Sequence, residues 1–327
     1  MILRFCAEEK DRDRTVGSVM RRELKISATM LRRLKQADVI SVSGKSVFTN
    51  YKLSPEEVLE VDIYGAEQPC DNLPQCGELE ILFENEGLLA VNKPSGILVH
   101  PSRARHMGTL SNFVAGYLAK IGSDFALCSM QNEKLPSATQ AACHAVNRLD
   151  RDTSGVVLFA KNSYMKDLAS KALAMPEARK EYLALVCGRA PESGTIDVPI
   201  KRFEERNMLR VVAPDGQRAV THFETLKVFD TFSLVKFRLE TGRTHQIRVH
   251  CLHMGHPILG DKLYGSDEAL AVSQSLGINT QALHAKLLAF TEPLSGKYME
   301  ITAPWNLPID EKSFPCILQS DVLPYLG

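Results

Sequence analysis

Residues 144–161 read HAVNRLDRDTSGVVLFAK, a charged loop that runs directly into an apolar segment. The run from Val156 to Ala160 begins with two β-branched residues, which predicts a short buried strand. Gly155 allows a sharp turn into that strand. Two carboxylates and two guanidiniums lie within residues 148–152. The loop therefore places an Asp at the edge of the interior, where an Arg can keep it ionised.

The order of residues in this loop matters, because a solvated turn with surface ion pairs would have the same composition. Residues 147–155, Asn-Arg-Leu-Asp-Arg-Asp-Thr-Ser-Gly, resemble the catalytic signature of RluA-type pseudouridine synthases, His-Arg-Leu-Asp-x-x-Thr-Ser-Gly. Asn147 stands where that family usually has His. The resemblance implies that Asp150 is the catalytic aspartate. It also implies that Arg148 and Thr153 bind substrate beside it.

Two further motifs of the same family follow in the expected order. Residues 180–188, Lys-x-Tyr-x-Ala-x-Val-x-Gly, resemble the motif whose tyrosine, here Tyr182, packs against the target base, although a core tyrosine would fit the same strand. Residues 242–250, Gly-Arg-Thr-His-Gln-Ile-Arg-Val-His, resemble the third motif. By the family's pattern Arg248 pairs with Asp150, which implies a charge-assisted contact. The remaining residues that the resemblance assigns to substrate binding are Lys180, Arg243, His245 and Gln246.

Residues 1–64 are predicted to form a small RNA-binding domain. Helical spacing at 16–24 and 28–37, with Ser27 as an N-cap, precedes predicted strands at 39–43, 47–51 and 58–63. The pattern resembles the S-four-type RNA-binding domain, and an ordinary α/β cap with a solvated basic face is the alternative. Residues 21–52 carry eight Lys or Arg against two acids, which suits phosphate contacts without base reading. The basic residues expected to contact RNA are Arg21, Arg22, Lys25, Arg32, Arg33, Lys35 and Lys45.

The remaining chain divides into a linker and a large domain. Residues 65–77 contain two prolines and no apolar periodicity, so they are predicted to be a linker with few contacts across it. Residues 78–327 are predicted to form the catalytic domain, in which Lys93 and His100 have supporting roles. The fold implied by the resemblance is α+β, with a mixed, mainly antiparallel central sheet, helices and loops, plus the small N-terminal α/β domain.

Composition narrows the class of protein. The 327 residues, 44% of them hydrophobic, are enough for a large and a small domain, and the formal net charge is zero. No secretory pattern and no apolar run of membrane-spanning length is found, so we expect a cytoplasmic monomer without membrane contact. Eight cysteines without a Cys-x-x-Cys pair predict reduced thiols. No phosphate-binding glycine loop, dinucleotide motif or convincing metal-ligand spacing is present, so we expect no cofactor and no metal.

The activity that the resemblance implies is isomerisation of uridine to pseudouridine in structured RNA. A carboxylate held by an Arg can act on a developing oxocarbenium-like sugar carbon, and the target base would have to leave the stack. Large-subunit ribosomal RNA is the expected target, with transfer RNA as the alternative. Two other classes fit less well. A glycoside hydrolase would need a second acid/base carboxylate, and a non-catalytic RNA-binding protein would not need Asp150, Tyr182 and Arg248 together.

Overall fold

The computed structural model describes residues 1–67, 72–102, 106–129, 143–203 and 209–305. These ranges contain a small N-terminal sheet with two helices, a ten-stranded central sheet and a separate two-stranded hairpin. The architecture is the mixed, mainly antiparallel α+β arrangement that was predicted. The N-terminal elements are β1 (Ile2–Cys6), α1 (Val16–Arg22), α2 (Ala28–Ala37), β2 (Ile40–Val42), β3 (Lys45–Ser46) and β4 (Val58–Asp62).

The N-terminal helices follow the sequence prediction, whereas two of the strands do not. The Ser27 hydroxyl accepts the backbone N–H of Met30 and starts α2, and Asp38 ends the helix in the left-handed region at a φ of 53°. The strand predicted over 47–51 is wrong, because β3 ends at Ser46 and a turn follows. β1 was not predicted, and it pairs with β4 to give the antiparallel order β1-β4-β2-β3.

The central sheet is built from strands that span most of the larger domain. They are β5 (Glu80–Glu84), β6 (Leu88–Lys93), β7 (His144–Ala145), β8 (Ser154–Ala160), β9 (Arg179–Cys187), β10 (Ser193–Asp197), β13 (Val220–Val228), β14 (Phe232–Leu239), β15 (Leu283–Thr291) and β16 (Tyr298–Thr302). The hairpin is β11 (Ile200–Arg202) with β12 (Arg210–Val212), and the helices are α3 (Leu110–Ser129), α4 (Ser163–Ala172), α5 (Gln246–His253) and α6 (Asp267–Ser275). The strand order is β10-β13-β14-β9-β15-β8-β6-β5, with β7 beside β8 and β16 beside β15. Every pairing is antiparallel except that of β8 with β15.

The parallel pairing of β8 with β15 joins two antiparallel halves of the sheet and brings the sequence motifs together. Gly155 lies opposite Ala285, and Ala285 lies opposite Tyr182 on β9, so these three residues form one row across the sheet. Gly155 has a φ of 111°, and an added Cβ would lie 2.2 Å from the carbonyl oxygen of Ala285. Only glycine allows this close approach, which puts the loop before β8 about two strand spacings, roughly 10 Å, from Tyr182.

The N-terminal domain packs directly on the central sheet, so the predicted scarcity of contacts across residues 65–77 is wrong. Its apolar core is continuous with that formed by β6, β8 and α4. The Tyr164 hydroxyl donates to the carbonyl oxygen of Leu24 at 2.8 Å. Glu67 lies 3.0 Å from the His144 ring and accepts the backbone N–H of Ser163 at 2.9 Å. The first residues of the predicted linker are therefore part of the packed interface.

Candidate active site

The loop that carries Asp150 is held to β8 by the side chain of Asn147. The Asn147 amide donates to the carbonyl oxygen of Val156 at 3.1 Å and accepts the backbone N–H of Leu158 at 2.7 Å. The side chain thus donates one hydrogen bond to the backbone of β8 and accepts one from it, as a neighbouring antiparallel strand would. An amide supplies a donor and an acceptor on one short side chain, which explains how Asn can occupy this position.

Lys93, the last residue of β6, holds the same loop by a hydrogen bond to its backbone. Its side chain is fully buried, and its ammonium group donates to the carbonyl oxygens of Arg151, Pro94 and Ile97 at 2.7–2.9 Å. Burial lowers the pKa of Lys93 to about 7, and the charges of Asp152 and Asp150 oppose that shift. The loop is thus tied to the interior one residue after Asp150.

The third motif forms the turn between β14 and α5. Gln246, the first residue of α5, directs its amide inward. Its Oε1 accepts the backbone N–H of Arg243 and the hydroxyl of Thr241, and its Nε2 donates to two oxygens of β13. With the amide committed to the turn, this geometry favours a positioning role for Gln246, and its predicted contact with substrate stays a prediction.

Arg248 on α5 joins two carboxylates, as the family's pattern led us to expect for the first of them. Its Nη1 donates to Asp150 Oδ2 at 2.9 Å across 98 positions of sequence. Its Nε and Nη2 form a bidentate pair with Asp261 at 2.7 and 2.8 Å. The Asp261 side chain is 1% exposed and that of Asp150 is 25% exposed. Asp261 therefore orients the guanidinium, and the guanidinium orients Asp150.

Tyr264 contacts both Arg248 and His245. The guanidinium carbon of Arg248 lies 4.9 Å from the centre of the Tyr264 ring, within reach of a cation–π interaction. The Tyr264 hydroxyl lies 2.9 Å from His245 Nδ1, and the opposite ring nitrogen, Nε2, lies 3.8 Å from Asp150 Oδ2. Asp261 and Tyr264 were missed at the level of sequence. One signal was available in the sequence. A guanidinium has five N–H donors, and Asp150 alone cannot accept from all of them, so a second partner for Arg248 could have been expected.

Electrostatics differ among the three groups around Asp150. Burial lowers the pKa of Arg248, but the hydrogen bonds and charges of Asp261 and Asp150 outweigh it, so the pKa lies above its ordinary value. Burial, assisted by the negative charge of Asp150, raises the pKa of Tyr182 to about 12. Burial lowers the pKa of His245. At neutral pH the site therefore combines a permanent cation, a phenol and a neutral imidazole.

These groups face a cleft that is open to solvent. Of the residues predicted to act there, Lys180 lies outside the lining, although it precedes Tyr182 by two positions on β9. Arg148 and Arg243 are exposed at the cleft, whereas Thr153 is buried and accepts a hydrogen bond from Gln281. The predicted residues that line the cleft are Arg148, Asp150, Thr153, Tyr182, Arg243, His245, Gln246 and Arg248.

The predicted RNA-contacting residues of the N-terminal domain lie on α1, α2, β3 and the turn between the helices. Six of the seven are exposed, and Arg33 is half-buried. Within the ranges given above, none of the seven forms an ion pair with a carboxylate, so their charge is available to a partner. The same ranges contain no group of three or more His, Cys, Asp or Glu side chains arranged to hold a metal ion. Nor do they contain a helix that combines the length and apolarity needed to cross a membrane.

The sequence of this chain is similar to those of known proteins of one family. A model of the RNA pseudouridylate synthase family matches residues 87–253. The chain is 34% identical over 305 residues to the uncharacterized RNA pseudouridine synthase YlyB of Bacillus subtilis, covering 93% of each chain. It is 35% identical over 301 residues to ribosomal large subunit pseudouridine synthase D of Zymomonas mobilis, covering 89% of each.

The fold is also similar to that of solved structures. Human RNA Pseudouridylate Synthase Domain Containing 1 aligns with a TM-score of 0.55 at 22% identity, over 80% of this chain and 97% of that one. This likeness concerns the fold alone. Since the family match and the curated relatives extend over the loop of Asp150 and the turn before α5, the chain belongs to the RNA pseudouridylate synthase family.

Proposed function

We propose that this enzyme converts uridine to pseudouridine in large-subunit ribosomal RNA, with Asp150 as its nucleophile. The observation that carries the second part is the contact between Arg248 Nη1 and Asp150 Oδ2 at 2.9 Å, at the wall of a cleft. An adjacent guanidinium stabilises the negative charge of the carboxylate and holds one of its oxygens in place. The other oxygen is free to face a substrate.

The reaction exchanges one bond to the ribose for another. The bond between N1 of uracil and C1′ of the ribose breaks, the base rotates, and a bond between C5 and C1′ forms. C5 loses its proton and N1 gains one, so the product is an isomer and no oxidant or reductant is consumed. Asp150 supports the step in which the base is detached, because a carboxylate stabilises an electron-poor sugar carbon or bonds to the substrate directly.

Tyr182 is the proposed contact for the target base. Its pKa of about 12 keeps the hydroxyl protonated at neutral pH, so the ring offers an uncharged π-face within the cleft. A base that leaves the helical stack loses its stacking partners, and an aromatic side chain replaces part of that energy, about 1–3 kcal/mol. Tyr182 would therefore lower the cost of holding the flipped nucleotide beside Asp150.

Residues 1–64 are the proposed domain that binds structured RNA. The cations of α1, α2 and β3 suit phosphate contacts, which give affinity and salt dependence without sequence reading. A variant with Arg21→Gln, Arg32→Gln and Lys45→Gln should bind RNA more weakly and with a shallower salt dependence. These side chains are exposed, so its melting temperature should not change. If affinity and salt slope both stay at wild-type values, these residues do not bind the RNA.

The choice of ribosomal RNA rests on the relatives. Several curated relatives are named ribosomal large subunit pseudouridine synthase D, including those of Zymomonas mobilis and Xanthomonas campestris. The test is tritium release from 5-tritiated uridine in transcripts of large-subunit ribosomal RNA and, in parallel, of transfer RNA. We expect release from the ribosomal transcript and none with Asp150→Asn. Release from transfer RNA alone would overturn the target, and turnover by a clean Asp150→Asn preparation would overturn the nucleophile.

A further inference from the structure

We propose that His245 is a neutral hydrogen-bond donor, held as its Nε2–H tautomer by Tyr264, and that it donates to a carbonyl oxygen of the flipped uracil. The inference rests on the proposed function, because the acceptor belongs to the substrate. It makes His245 a residue that recognises uridine, and it makes Tyr264 a positioning residue that acts through His245.

The tautomer follows from the contacts of the Tyr264 hydroxyl. The backbone N–H of Arg210 lies 2.8 Å from the hydroxyl oxygen, and His245 Nδ1 lies 2.9 Å from it. An amide N–H can only donate, so the oxygen accepts from Arg210 and its own hydrogen is free to point at Nδ1. Tyr264 is 5% exposed, and the opposite tautomer would leave that hydroxyl hydrogen buried without an acceptor among these contacts. Nδ1 is therefore the acceptor and Nε2 carries the proton.

The Nε2–H group is directed at the cleft. Its distance of 3.8 Å from Asp150 Oδ2 is too long for a hydrogen bond. The His245 side chain is 12% exposed and lines the same cleft as Tyr182. Among the described residues, Nε2 has no acceptor within hydrogen-bond distance, and it lies near Asp150, so it is placed to meet an acceptor on the substrate.

The backbone of His245 supports the same conclusion. The residue precedes α5 with a φ of 57°, in the left-handed region, and its side chain does not cap the helix. Residues with short polar side chains usually occupy an N-cap because they satisfy the first N–H groups of the helix. The left-handed region is uncommon for a non-glycine residue, although His adopts it more often than most, and here it turns the chain into α5 without using the imidazole as a cap.

The charge state suits the proposed acceptor. Burial lowers the pKa of the imidazole. Of the charged groups that face it, Arg248 and Arg210 also lower the pKa, whereas Asp150 and Asp261 oppose that shift. A neutral imidazole with a protonated Nε2 donates from that atom and cannot accept there. Uracil presents two carbonyl oxygens, whereas cytosine presents an amino group in place of one of them. The oxygen that cytosine lacks is O4. Donation from His245 to O4 would therefore favour uridine over cytidine in the cleft.

The test is a double-mutant cycle of Tyr264→Phe with His245→Gln, read by the turnover number on an active RNA. Tyr264→Phe removes only the hydroxyl and keeps the ring against Arg248. The Gln amide nitrogen can stand in for Nε2–H, and it has no tautomers. We expect Tyr264→Phe to lower kcat about ten-fold with His245 present and less than two-fold in the His245→Gln background, while His245→Phe loses about 100-fold. Loss of the partner for the Arg210 amide is common to both arms and cancels.

A ring-nitrogen NMR measurement keeps the proposal falsifiable if His245→Gln is inactive. In wild type the His245 ring should report a protonated Nε2 and a bare Nδ1, and Tyr264→Phe should give a mixture. Equal losses from Tyr264→Phe in both arms, wild-type turnover by His245→Phe, or a protonated Nδ1 in wild type would each overturn the inference. Absence of tritium release by wild type on any RNA would instead overturn the proposed function.

A separate experiment identifies the carbonyl oxygen that accepts the hydrogen bond from His245. RNA with 2-thiouridine or 4-thiouridine at the target position replaces one carbonyl oxygen by a weaker acceptor. One of the two should slow wild type but not slow His245→Phe any further. If both substitutions slow wild type and His245→Phe by the same factors, His245 does not donate to the base.

Discussion

Replacement of Arg248 by Lys keeps a positive charge on α5 but removes the planar fork that joins two carboxylates. Three charge-assisted hydrogen bonds connect the guanidinium to Asp150 and Asp261, and an ammonium group cannot reproduce them. Asp261 is 1% exposed, so leaving it without a cation costs more than leaving Asp150, which is 25% exposed. We therefore expect the new ammonium group to stay with Asp261 and Asp150 to lose its partner.

The expected size of the effect follows from the lost contact. A hydrogen bond to a charged group contributes about 1.5–3 kcal/mol. If about 2–3 kcal/mol of that stabilises the transition state, turnover falls roughly 30- to 160-fold. The cations proposed to contact RNA lie within residues 1–64, and this substitution on α5 leaves them unchanged, so the dissociation constant for RNA should stay within about two-fold.

The assay combines single-turnover tritium release with filter binding on the same RNA. Arg243→Lys is the matched control, because Arg243 is exposed at the cleft and its side chain contacts the carbonyl oxygen of Arg218. We expect this control to weaken RNA binding and to leave turnover nearly unchanged. Wild-type turnover by Arg248→Lys would refute the reasoning. A loss of RNA affinity equal to the loss of turnover would also refute it, since Arg248 would then bind RNA instead of orienting Asp150.

Three further predictions concern Asp150, the interface of the N-terminal domain and Glu67. Asp150→Asn should abolish tritium release while RNA binding survives. Asp152→Asn should stay within a few-fold of wild type, because its partner Arg151 is 61% exposed and such an ion pair contributes little. Deletion of residues 1–66 should lower the melting temperature or cause aggregation, because it uncovers the apolar core shared with β6, β8 and α4; a truncated protein as stable as wild type by calorimetry would contradict this. Burial raises the pKa of Glu67, but hydrogen bonds from His144 and Ser163 outweigh it and lower the pKa below its ordinary value of 4.5. Its contribution to stability is therefore present above pH 4.5 and is lost as the pH falls through the lower pKa of the folded state. Glu67→Gln should cost about 2 kcal/mol at pH 7 and little at low pH, as measured by urea unfolding at both pH values.

The sequence was most informative where local patterns decide the structure. The N-cap at Ser27 and the buried strand over Val156–Ala160 each depend on residues that are close in the chain, and both were predicted correctly. The pair of Asp150 with Arg248 was predicted from a family pattern and is confirmed by the 2.9 Å contact. Spacing alone does not predict it, because 98 positions separate the two residues.

The features that were missed depend on contacts between distant segments. β1 is short and half exposed, and its identity as a strand comes from its pairing with β4 at the other end of the domain. The docking of the N-terminal domain depends on residues 64–67, which lack apolar periodicity and still contribute the buried Ala66 and Glu67. Asp261 and Tyr264 carry no signal of their own, because an Asp that orients an arginine has the same local sequence as an Asp in an exposed turn.

The parallel pairing of β8 with β15 has a consequence for the order of folding. Asp150 precedes β8 in one antiparallel half, Tyr182 lies on β9 in the other half, and Arg248 lies on α5, which packs on that other half. In the described part of the chain, two residue pairs form the register of β8 with β15. The halves also share apolar core residues, among them Leu158 of β8 and Phe290 of β15, and Asp150 meets Arg248 only when the two halves have joined. Catalytic activity should therefore recover in the slowest refolding phase, after most of the secondary structure has formed. Turnover regained in step with the earliest circular dichroism signal would show that the halves assemble together from the start.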